Sequence, residues 1–398
     1  MRSIETAIVL LPLLVIVVPV CTYLAVLTVV APFGLGRHPG RKPPAHRFAI
    51  VVPAHDEERV LGRLLASLRE LAYPAALFDV VVAADNCSDA TAAIARAGGA
   101  LVFERDDIEH QGKGWALRWL LDELGAAHRS YDAYVLLDAD SVVSPNFLAV
   151  MNDRLCAGAL VVQAYYTVLN LNNTRSELLR EASLALVHYL RPAAKMALGA
   201  SCGLKGNGMA FHRTVIERFG WPAVGLAEDV ELHLMLAAAG VLVEFAPEAI
   251  VWAEMPATLR GAGGQNERWE AGRLAVLPTR ALPLVFAGLR HRNMVAFDAG
   301  IEQFVPPLSL PTSVACVCLL AGVVLRLDGV STAAGVLIAV LGLHTLAGLR
   351  LARVSPNVYR AIIHAPTYMV WKVALYVQVV SAGRRERPWV RTVRGATK

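Results

Sequence analysis

Long apolar runs stand near both ends of the chain, and shorter ones lie between them. Residues 7–33 contain no charged side chain. At about 1.5 Å per residue, this run is longer than the roughly 30 Å hydrocarbon core of a bilayer. It is too long for a signal peptide, and no positive n-region precedes it because Glu5 offsets Arg2. We therefore predict a retained transmembrane helix within residues 1–36.

Two further apolar runs, residues 304–325 and 331–349, predict a transmembrane hairpin. Basic residues follow the first run, and others follow the hairpin. Basic flanks of this kind stay in the cytoplasm. They are Arg37, Arg41, Lys42 and Arg47 after the first run, and Arg350, Arg353 and Arg360 after the hairpin. The chain between residues 37 and 303 is therefore expected in the cytoplasm.

Residues 361–382 are less apolar, since they contain Pro366 and Lys372. If they crossed the membrane, the basic tail at residues 383–398 would lie outside, against the charge rule. We favour a partly embedded or interfacial helix here, with a full span as the alternative.

Between the terminal runs, short apolar stretches alternate with helical patterns. The apolar run at residues 48–52 ends at Pro53 and predicts a buried strand, and residues 56–71 carry apolar side chains at helical spacing. Further strands are predicted at residues 78–84, 100–104 and 134–137, with helices at residues 89–97 and 114–124. This alternation predicts an α/β fold with a mostly parallel sheet flanked by helices.

Composition adds membrane character and excludes several classes of site. Hydrophobic residues make up 56% of the 398 residues, against roughly 45–50% in soluble proteins. The net charge of +5 is small for this length, so no nucleic-acid partner is expected. The six cysteines show no C-x-x-C spacing, which argues against a zinc site. No P-loop sequence is present.

Polar side chains cluster where the predicted strands end. His55 and Glu57 follow the first strand, Asp85 the second and Asp138 the fourth. Ligands of such sheets bind at the carboxyl ends of the strands. A carboxylate in mid-strand would lose its hydration at high cost, whereas at this edge it can reach a metal ion or solvent. The sequence therefore predicts a ligand site at this edge.

Asp138-Ala139-Asp140 is the candidate metal site. In an extended segment, residues two apart share a face, so the two carboxylates lie together. Hard oxygen ligands of this kind suit Mg²⁺ or Mn²⁺ bridged to substrate phosphates. The alternative is a helix N-cap followed by a turn, because Ser144-Pro145 is typical of a helix start.

Asp85 and Lys113 are candidates for binding a nucleotide. A strand-end carboxylate such as Asp85 can accept hydrogen bonds from a base or a ribose, although turn and capping chemistry is the alternative. Lys113 lies in a glycine-containing loop and can place a point charge beside a diphosphate. A solvated loop lysine is the alternative there.

Glu228-Asp229 precedes an apolar helical pattern. Asp229 can act as a general base that takes the proton of an acceptor hydroxyl. The alternative is that both acidic residues stabilise a helix N-terminus through its dipole.

Gln265, Arg268 and Trp269 lie at positions i, i+3 and i+4, so they share one face of a helix. An amide, a guanidinium and an indole on one face can bind a diphosphate and stack on an acceptor sugar. A membrane-interface anchor is the alternative.

Taken in this order, the motifs resemble the membrane-bound family-2 glycosyltransferases. These have a GT-A fold and include cellulose, chitin, hyaluronan and poly-N-acetylglucosamine synthases and, more distantly, ceramide glucosyltransferase. Residues 51–58 look like the family's opening strand and turn, with His55-Asp56 where Tyr-Asn is more usual. Asp85 resembles the uridine-binding acid, Asp138 and Asp140 the metal motif, Asp229 the base of the T/A-E-D sequence, and Gln265, Arg268 and Trp269 the Q-x-x-R-W signature.

The resemblance implies a mixed GT-A sheet, inverting transfer from a UDP-sugar donor, and Mg²⁺ or Mn²⁺ as cofactor. Asp140 and Asp138 would bind the metal, and Asp229 would activate a sugar, lipid or polysaccharide acceptor. Lys113 and Arg268 would stabilise the departing UDP. The full set implied to bind substrate is Pro53, His55, Glu57, Asp85, Lys113, Asp138, Glu228, Gln265, Arg268 and Trp269.

Two departures from the family leave the product open. No F-x-V-T-x-K sequence follows Trp269, and the predicted membrane part has only three or four segments. A polysaccharide synthase and a transferase that adds one or a few sugars to a lipid are therefore both expected possibilities. A catalytically inert membrane scaffold that retains the fold is a third.

The expected organisation is that of a multi-pass protein of the cytoplasmic membrane, in contact with membrane lipid. In chain order we predict a transmembrane helix at 1–36, a cytoplasmic GT-A domain at 45–275, interfacial helices at 276–303, a transmembrane or interfacial region at 304–382 and a basic cytoplasmic tail at 383–398.

Overall fold

A computed structural model describes residues 2–36, 38–169, 172–225, 227–256 and 258–382. Arg37 and the predicted basic tail at residues 383–398 lie outside the described residues. The strands in the described part are β1 (Phe48–Ala54), β2 (Phe78–Asp85), β3 (Leu101–Arg105), β4 (Ala133–Leu136), β5 (Ser141–Val143), β6 (Val161–Leu169), β7 (Met209–His212) and β8 (Val243–Glu254).

These strands form one mixed sheet in the order β3-β2-β1-β4-β7-β6-β8-β5. Pairs β2–β3, β1–β2, β1–β4 and β6–β8 are parallel, whereas β7 runs antiparallel between β4 and β6, and β5 pairs antiparallel with β8. The predicted mixed, mostly parallel sheet is therefore confirmed. The four strands predicted from the sequence are the parallel half, β1 to β4.

The sheet is buried on both faces because successive side chains of a strand point to opposite sides. In β1, Phe48, Ile50 and Val52 pack into one apolar core, and Ala49 and Val51 pack into the other. A strand covered on both faces reads as a continuous apolar run, which is why this strand was recognisable in the sequence.

Helices cover both faces of the sheet and continue into the terminal regions. Their bounds are α1 (Arg2–Pro12), α2 (Val18–Gly34), α3 (Leu61–Arg69), α4 (Thr91–Ala97), α5 (Lys113–Ala126), α6 (Phe147–Cys156), α7 (Arg175–Leu184), α8 (Arg191–Leu198), α9 (Arg213–Phe219), α10 (Glu228–Ala238), α11 (Leu259–Val276), α12 (Leu282–Arg290), α13 (Met294–Glu302), α14 (Ser309–Val324), α15 (Asp328–Leu351), α16 (Pro356–Ala361) and α17 (Ala365–Ala382). Segments of π-helix join α1 to α2, α7 to α8 and α11 to α12, at Leu13–Val17, Ala185–Leu190 and Leu277–Ala281, and 3₁₀ turns lie at Ala75–Leu77 and Ile362–His364.

Helix α3 is shorter than predicted. The expected helix at residues 56–71 begins only at Leu61, because Asp56 has a φ of 51°, in the left-handed region. The Asp56 carboxylate accepts a hydrogen bond of 2.7 Å from the Ser88 backbone N–H, which ties this turn to the one after β2. The apolar periodicity was real, but its first turn forms a loop at the sheet edge instead of a helix.

Three helices in the described part are long and apolar enough to cross a membrane: Ile8–Gly34, Gly261–Arg290 and Asp328–Leu351. The first and third correspond to predicted spans. The predicted partner of the third is the shorter apolar helix α14. Residues 361–382, predicted to be interfacial, contain α17, which is not one of the three. The interfacial placement of α17 stays a prediction.

The N-terminal helix contacts both the C-terminal helices and the sheet domain. Its first half packs in an apolar cluster with α14 and α15. Leu27 and Ala31 of its second half share a core with Leu190 and Ala193 beside the sheet. At Gly34, an added Cβ would lie 1.8 Å from the Ala193 carbonyl oxygen, so only glycine permits this approach. The terminal helices and the domain are thus packed directly on each other.

Candidate functional site

A single cavity of about 980 Å³ opens at the carboxyl ends of β1, β2 and β4. This volume lies at the upper end of the range of roughly 300–1,000 Å³ typical of small-molecule sites. All the residues predicted for the site line it: Pro53, His55, Glu57, Asp85, Lys113, Asp138, Asp140, Glu228, Asp229, Gln265, Arg268 and Trp269. Stretches that are far apart in the sequence therefore meet around one space.

Asp85 stands at the end of β2 and is held by a buried network. Arg105 Nη1 donates a hydrogen bond of 2.6 Å to Asp85 Oδ1, and Asn86 Nδ2 donates one of 3.0 Å to the same oxygen. Burial raises the pKa of Asp85, and the hydrogen bond from Arg105 acts in the opposite direction. His55 Nδ1 lies 2.7 Å from the Asp85 carbonyl oxygen, which joins the ends of β1 and β2. The predicted Asp85 is thus oriented by Arg105, which sequence reasoning did not identify.

Asp138 and Asp140 follow β4 on the cavity wall. Lys113 Nζ lies 2.6 Å from Asp138 Oδ1, and Asn207 Oδ1 accepts a hydrogen bond of 3.2 Å from the Asp138 backbone N–H. Asp140 is buried at the inner wall. Two carboxylates at a rigid strand end, both facing one cavity, fit the hard oxygen ligation of Mg²⁺ or Mn²⁺.

A different acidic group lies nearby, in the turns after β1 and β2. Asp56, Cys87 and Asp89 are the one set of three candidate ligands whose donor atoms lie within 4.8 Å of one another among the described residues. Hydrogen bonds of the two turns account for this proximity. Asp56 accepts one from Ser88, and Asp89 Oδ1 accepts one of 2.9 Å from the Thr91 backbone N–H.

Glu228 and Asp229 begin α10. This position fits a general base and also fits acidic residues that stabilise a helix N-terminus through its dipole. Burial raises the pKa of Glu228 to about 7, and burial also raises the pKa of Asp229. Lys113 lies 3.9 Å from Glu228 and opposes both shifts. Gly206, with a φ of +77°, passes so close that a Cβ there would lie 3.3 Å from Asp229 Oδ2. Asp229 thus faces a tight loop and a space shared with the predicted metal ligands.

Gln265, Arg268 and Trp269 lie on α11, on the wall opposite the sheet. Arg180 of α7 connects two of them, because its Nη1 donates a hydrogen bond of 3.0 Å to Gln265 Oε1 and its guanidinium lies 5.7 Å from the centre of the Trp269 ring. Trp269 remains 41% exposed, so its ring is accessible to a ligand.

Most of the charged residues that line the cavity fall into an acidic group and a basic group; Glu270 and Glu302 also line it and are paired with lysine or arginine. We call the first the acidic end; it consists of Asp85, Asp138, Asp140, Glu228 and Asp229, with Lys113 among them. We call the second the basic end; it consists of Arg180, Arg191, Lys205, Arg273 and Lys372. None of the basic residues was predicted, because each stands alone in its helix or loop and belongs to no motif.

Sequence and structure comparisons identify the family and the fold. The profile of a family described as glycosyltransferase-like family 2 matches residues 43–272. Over 245 residues the chain is 27% identical to "Probable glycosyltransferase YdaM" of Bacillus subtilis (strain 168), and over 261 residues 23% identical to a poly-beta-1,6-N-acetyl-D-glucosamine synthase of Staphylococcus aureus (strain COL). These matches cover 58% and 64% of this chain, which spans 56% and 60% of the length of those relatives.

Among solved structures, the mannosyltransferase PcManGT from Pyrobaculum calidifontis, in complex with GDP-Man and Mn²⁺, is similar with a TM-score of 0.55. The two chains are 18% identical, and the match covers 92% of this chain and 99% of that one. At this identity the likeness concerns the fold, and it confirms the expected GT-A architecture. Because the profile matches more than half of the chain, the protein belongs to the glycosyltransferase-like family 2.

Proposed function

We propose that this protein is an inverting, metal-dependent glycosyltransferase that uses a UDP-sugar at the cytoplasmic face of the cell membrane. The observation that carries the proposal is the convergence of the predicted residues on one cavity, with acids at strand ends and Asp229 across from them. A retained but inert scaffold would have no need to keep a raised-pKa carboxylate facing the predicted metal ligands.

The proposed reaction is a single displacement at the anomeric carbon. The acceptor hydroxyl oxygen forms the new bond, the bond from the anomeric carbon to the diphosphate breaks, and UDP leaves with the electron pair. Asp229 takes the hydroxyl proton. A carboxylate whose pKa is raised by burial is a better base than an exposed one, because its affinity for the proton is higher.

Donor binding falls to the acidic end and to α11. We assign binding of the nucleotide's base to Asp85 and binding of its diphosphate to Lys113 and Arg268. Pro53, His55 and Glu57 form the adjoining wall. Asp140 and Asp138 would hold Mg²⁺ or Mn²⁺, which neutralises charge on the diphosphate when bound. Lys113 stays protonated, because the adjacent Asp138 and Glu228 raise its pKa although burial alone would lower it. It thus offers a fixed positive charge to the leaving group.

Trp269 and Gln265 would contact the acceptor, since both line the cavity and the Trp269 ring is exposed enough to stack on a sugar. The membrane placement rests on Ile8–Gly34 and Asp328–Leu351, which are able to cross a bilayer, and on the basic flanks of the sequence. A polysaccharide and a glycolipid are both compatible products at this level.

The test measures UDP release by the purified full-length protein with Mn²⁺ against a panel of UDP-sugars, with GDP-mannose included. We expect release from a UDP-sugar that requires the metal. Asp229→Asn should lower kcat by about 10²–10⁴-fold, the usual contribution of a positioned base. Asp122→Asn, at an exposed position of α5, is the matched control and should leave the rate unchanged.

Two outcomes would contradict the proposal. Unchanged UDP release by Asp229→Asn would exclude Asp229 as the base. If wild-type protein released nucleotide from none of the UDP-sugars, or from GDP-mannose alone, the proposed donor would be wrong.

A further inference from the structure

The basic end of the cavity has no role in the donor chemistry proposed above. The acidic end and α11 supply the groups needed for a metal, a nucleotide and a proton. The same cavity is also lined by Arg180 and Arg191 and by residues of the helices α14, α15 and α17. Its volume of about 980 Å³ leaves room for a second ligand there.

Arg180 offers hydrogen-bond donors that no part of the described chain accepts. Only 4% of the residue is exposed. Its Nη1 is bonded to Gln265, but Nε and Nη2 are buried without a hydrogen-bond partner among the described residues. An arginine remains charged in proteins, and a buried donor left unbonded is costly. The side chain lines the cavity, so a ligand in the cavity is the available acceptor.

Arg191 repeats this arrangement one helix further along the chain. It is 7% exposed, it lines the same cavity, and its Nε lacks a hydrogen-bond partner in the described part of the chain. Each of two helices therefore places a buried guanidinium group with an unbonded donor in the same cavity. Guanidinium groups are suited to phosphate and carboxylate because their N–H groups form a planar fork.

The carboxylates near these arginines are already bonded to other cations. Glu302 lies 3.2 Å from Lys195, and Glu270 lies 2.9 Å from Arg273 and 3.0 Å from Lys372. Within the described ranges, no carboxylate lies within 4.0 Å of Arg180 or Arg191. Among the described residues, no directly bonded carboxylate therefore neutralises Arg180 or Arg191, and an anionic ligand would complement their charge.

The far side of the basic end is apolar and belongs to the C-terminal helices. Leu341 and Leu346 of α15 and Met369 of α17 line it, together with Thr312 of α14. Helix α15 is one of the three that can cross a bilayer. A ligand that reaches this part of the cavity thus has its charged group at the arginines and its remaining length along membrane helices.

We propose that the acceptor is a membrane lipid whose headgroup contains a phosphate, held by Arg180 and attracted by the charge of Arg191 in the same cavity, and whose hydrocarbon chain lies along α14, α15 and α17. This inference rests on the proposed function and names its acceptor class. A hydroxyl of the same headgroup attacks the anomeric carbon, its proton passes to Asp229, and UDP leaves with the electron pair of the broken bond. The phosphate itself positions the lipid and is not altered.

The test compares acceptors that differ in one feature each, with wild-type protein, Mn²⁺ and the UDP-sugar identified by UDP release. Phosphatidylglycerol and phosphatidylinositol carry a hydroxyl, a phosphate and hydrocarbon chains. Dioleoylglycerol has the hydroxyl and chains without the phosphate, and glycerol 3-phosphate has the hydroxyl and phosphate without the chains. Labelled sugar in the lipid phase is measured. We expect at least tenfold more product from a phosphate lipid than from dioleoylglycerol, and none from glycerol 3-phosphate.

Variants then test which residues bind the phosphate of the lipid. Arg180→Gln and Arg191→Gln should each raise the ratio of lipid KM to donor KM by at least tenfold, and Arg180→Lys should recover part of the loss. Arg290→Gln removes the same charge at an exposed position outside the cavity and is the control. A purely structural defect would change both KM values together, or reduce the amount of folded protein, and would leave that ratio unchanged.

The outcomes separate this inference from the proposed function. If no UDP-sugar releases UDP under any condition, the proposed function fails. If UDP is released and the sugar goes equally well to dioleoylglycerol, to glycerol 3-phosphate or into a polymer formed without lipid, only the phosphate-lipid acceptor is overturned. The comparison of lipids uses wild-type protein, so it stands even if an arginine variant does not fold.

Discussion

The acidic end and the basic end of the cavity differ in charge and in how the chain assembles them. At the acidic end, residues follow β2 and β4 or begin helices α5 and α10, so each belongs to a short local pattern. The basic end draws single residues from α7, α8, the loop before β7, α11 and α17. The acidic end is thus formed by strand ends and helix starts, and the basic end is formed by the packing of helices on one another.

This difference matches a division of chemical work. Opposite charge at the two ends suits a reaction in which a metal-bound diphosphate leaves on one side and a second group is held on the other. The carboxylates attract a divalent cation and repel an anionic acceptor, and the arginines do the reverse. The following experiments break or sharpen this comparison.

The largest effect is expected at the metal ligands. Asp140→Asn and Asp138→Asn should each lower UDP release on the order of 10³-fold, because charge stabilisation worth several kcal/mol is lost with the ion. Removal of the metal by EDTA should abolish release by wild-type protein, and added Mn²⁺ should restore it. UDP release at increasing Mn²⁺ measures this.

The exposed Asp122→Asn serves again as the control. Full activity of both ligand variants in EDTA would show that the acidic end holds no functional metal. In that case the acidic end and the basic end would differ only in charge.

A smaller effect is expected at Trp269, which lies between the two ends beside Arg180. Trp269→Ala should raise the acceptor KM about tenfold, the loss expected for a stacking contact of roughly 1.4 kcal/mol. Trp269→Phe keeps an aromatic face and should lose less. Initial transfer rates at varied acceptor, with donor saturating, give both values. A rise confined to the donor KM would instead assign Trp269 to the acidic end.

Sequence reasoning reached the acidic end because its residues have local signals. Asp85 and Asp138 follow apolar runs that form buried strands, and an acid after such a run lies at the ligand edge of a parallel sheet. Arg180 and Arg191 carried no such signal. An arginine on a helix usually lies in solvent, and only the packing of distant helices buries these two. Helix α7 shares an apolar cluster with α15 and α16, and α8 packs against the N-terminal helix α2.

The fold shows the same limit. Strands β1 and β2 were predicted almost in full, since long apolar runs leave little choice. The four-residue β7 is too short to show a period, and its antiparallel place between β4 and β6 is set by its pairing with both strands. The helix expected from residue 56 was shortened by a turn whose Asp56 conformation depends on Ser88, a residue of a different loop. Contacts between distant segments decided each of these features.

The pH dependence of transfer tests the base at the acidic end. Burial raises the pKa of Asp229, and the pKa of its neighbour Glu228 to about 7. A base acts only when ionised, so the wild-type kcat should fall as pH is lowered towards the raised pKa of Asp229 and should level at higher pH. The residual rate of Asp229→Asn should not follow this profile, which separates the base from effects on binding. A wild-type kcat that stays constant as pH is lowered would contradict the assignment.

The smallest effect concerns stability, and its sign distinguishes burial from ion pairing at Glu228. Because the pKa of Glu228 is raised from 4.5 to about 7, the folded state holds this proton more tightly than the unfolded chain does. Its contribution to stability is therefore fully present below pH 4.5 and is lost as pH rises through about 7. Glu228→Gln removes this loss, so at pH 8 it should raise Tm by a few degrees, at roughly 2–4 °C per kcal/mol for a domain of this size.

Thermal unfolding of the detergent-solubilised protein at pH 5 and pH 8 measures this difference, which should be much smaller at pH 5. Glu217→Gln, at an exposed position of α9, should change Tm at neither pH. A lower Tm of Glu228→Gln at pH 8 would mean that Lys113, 3.9 Å away, stabilises the ionised carboxylate by more than burial costs it. Lys113 would then neutralise part of the negative charge of the acidic end before any metal binds. Within the described chain, Arg180 and Arg191 have no bonded carboxylate, so the two ends would differ more in how their charge is compensated.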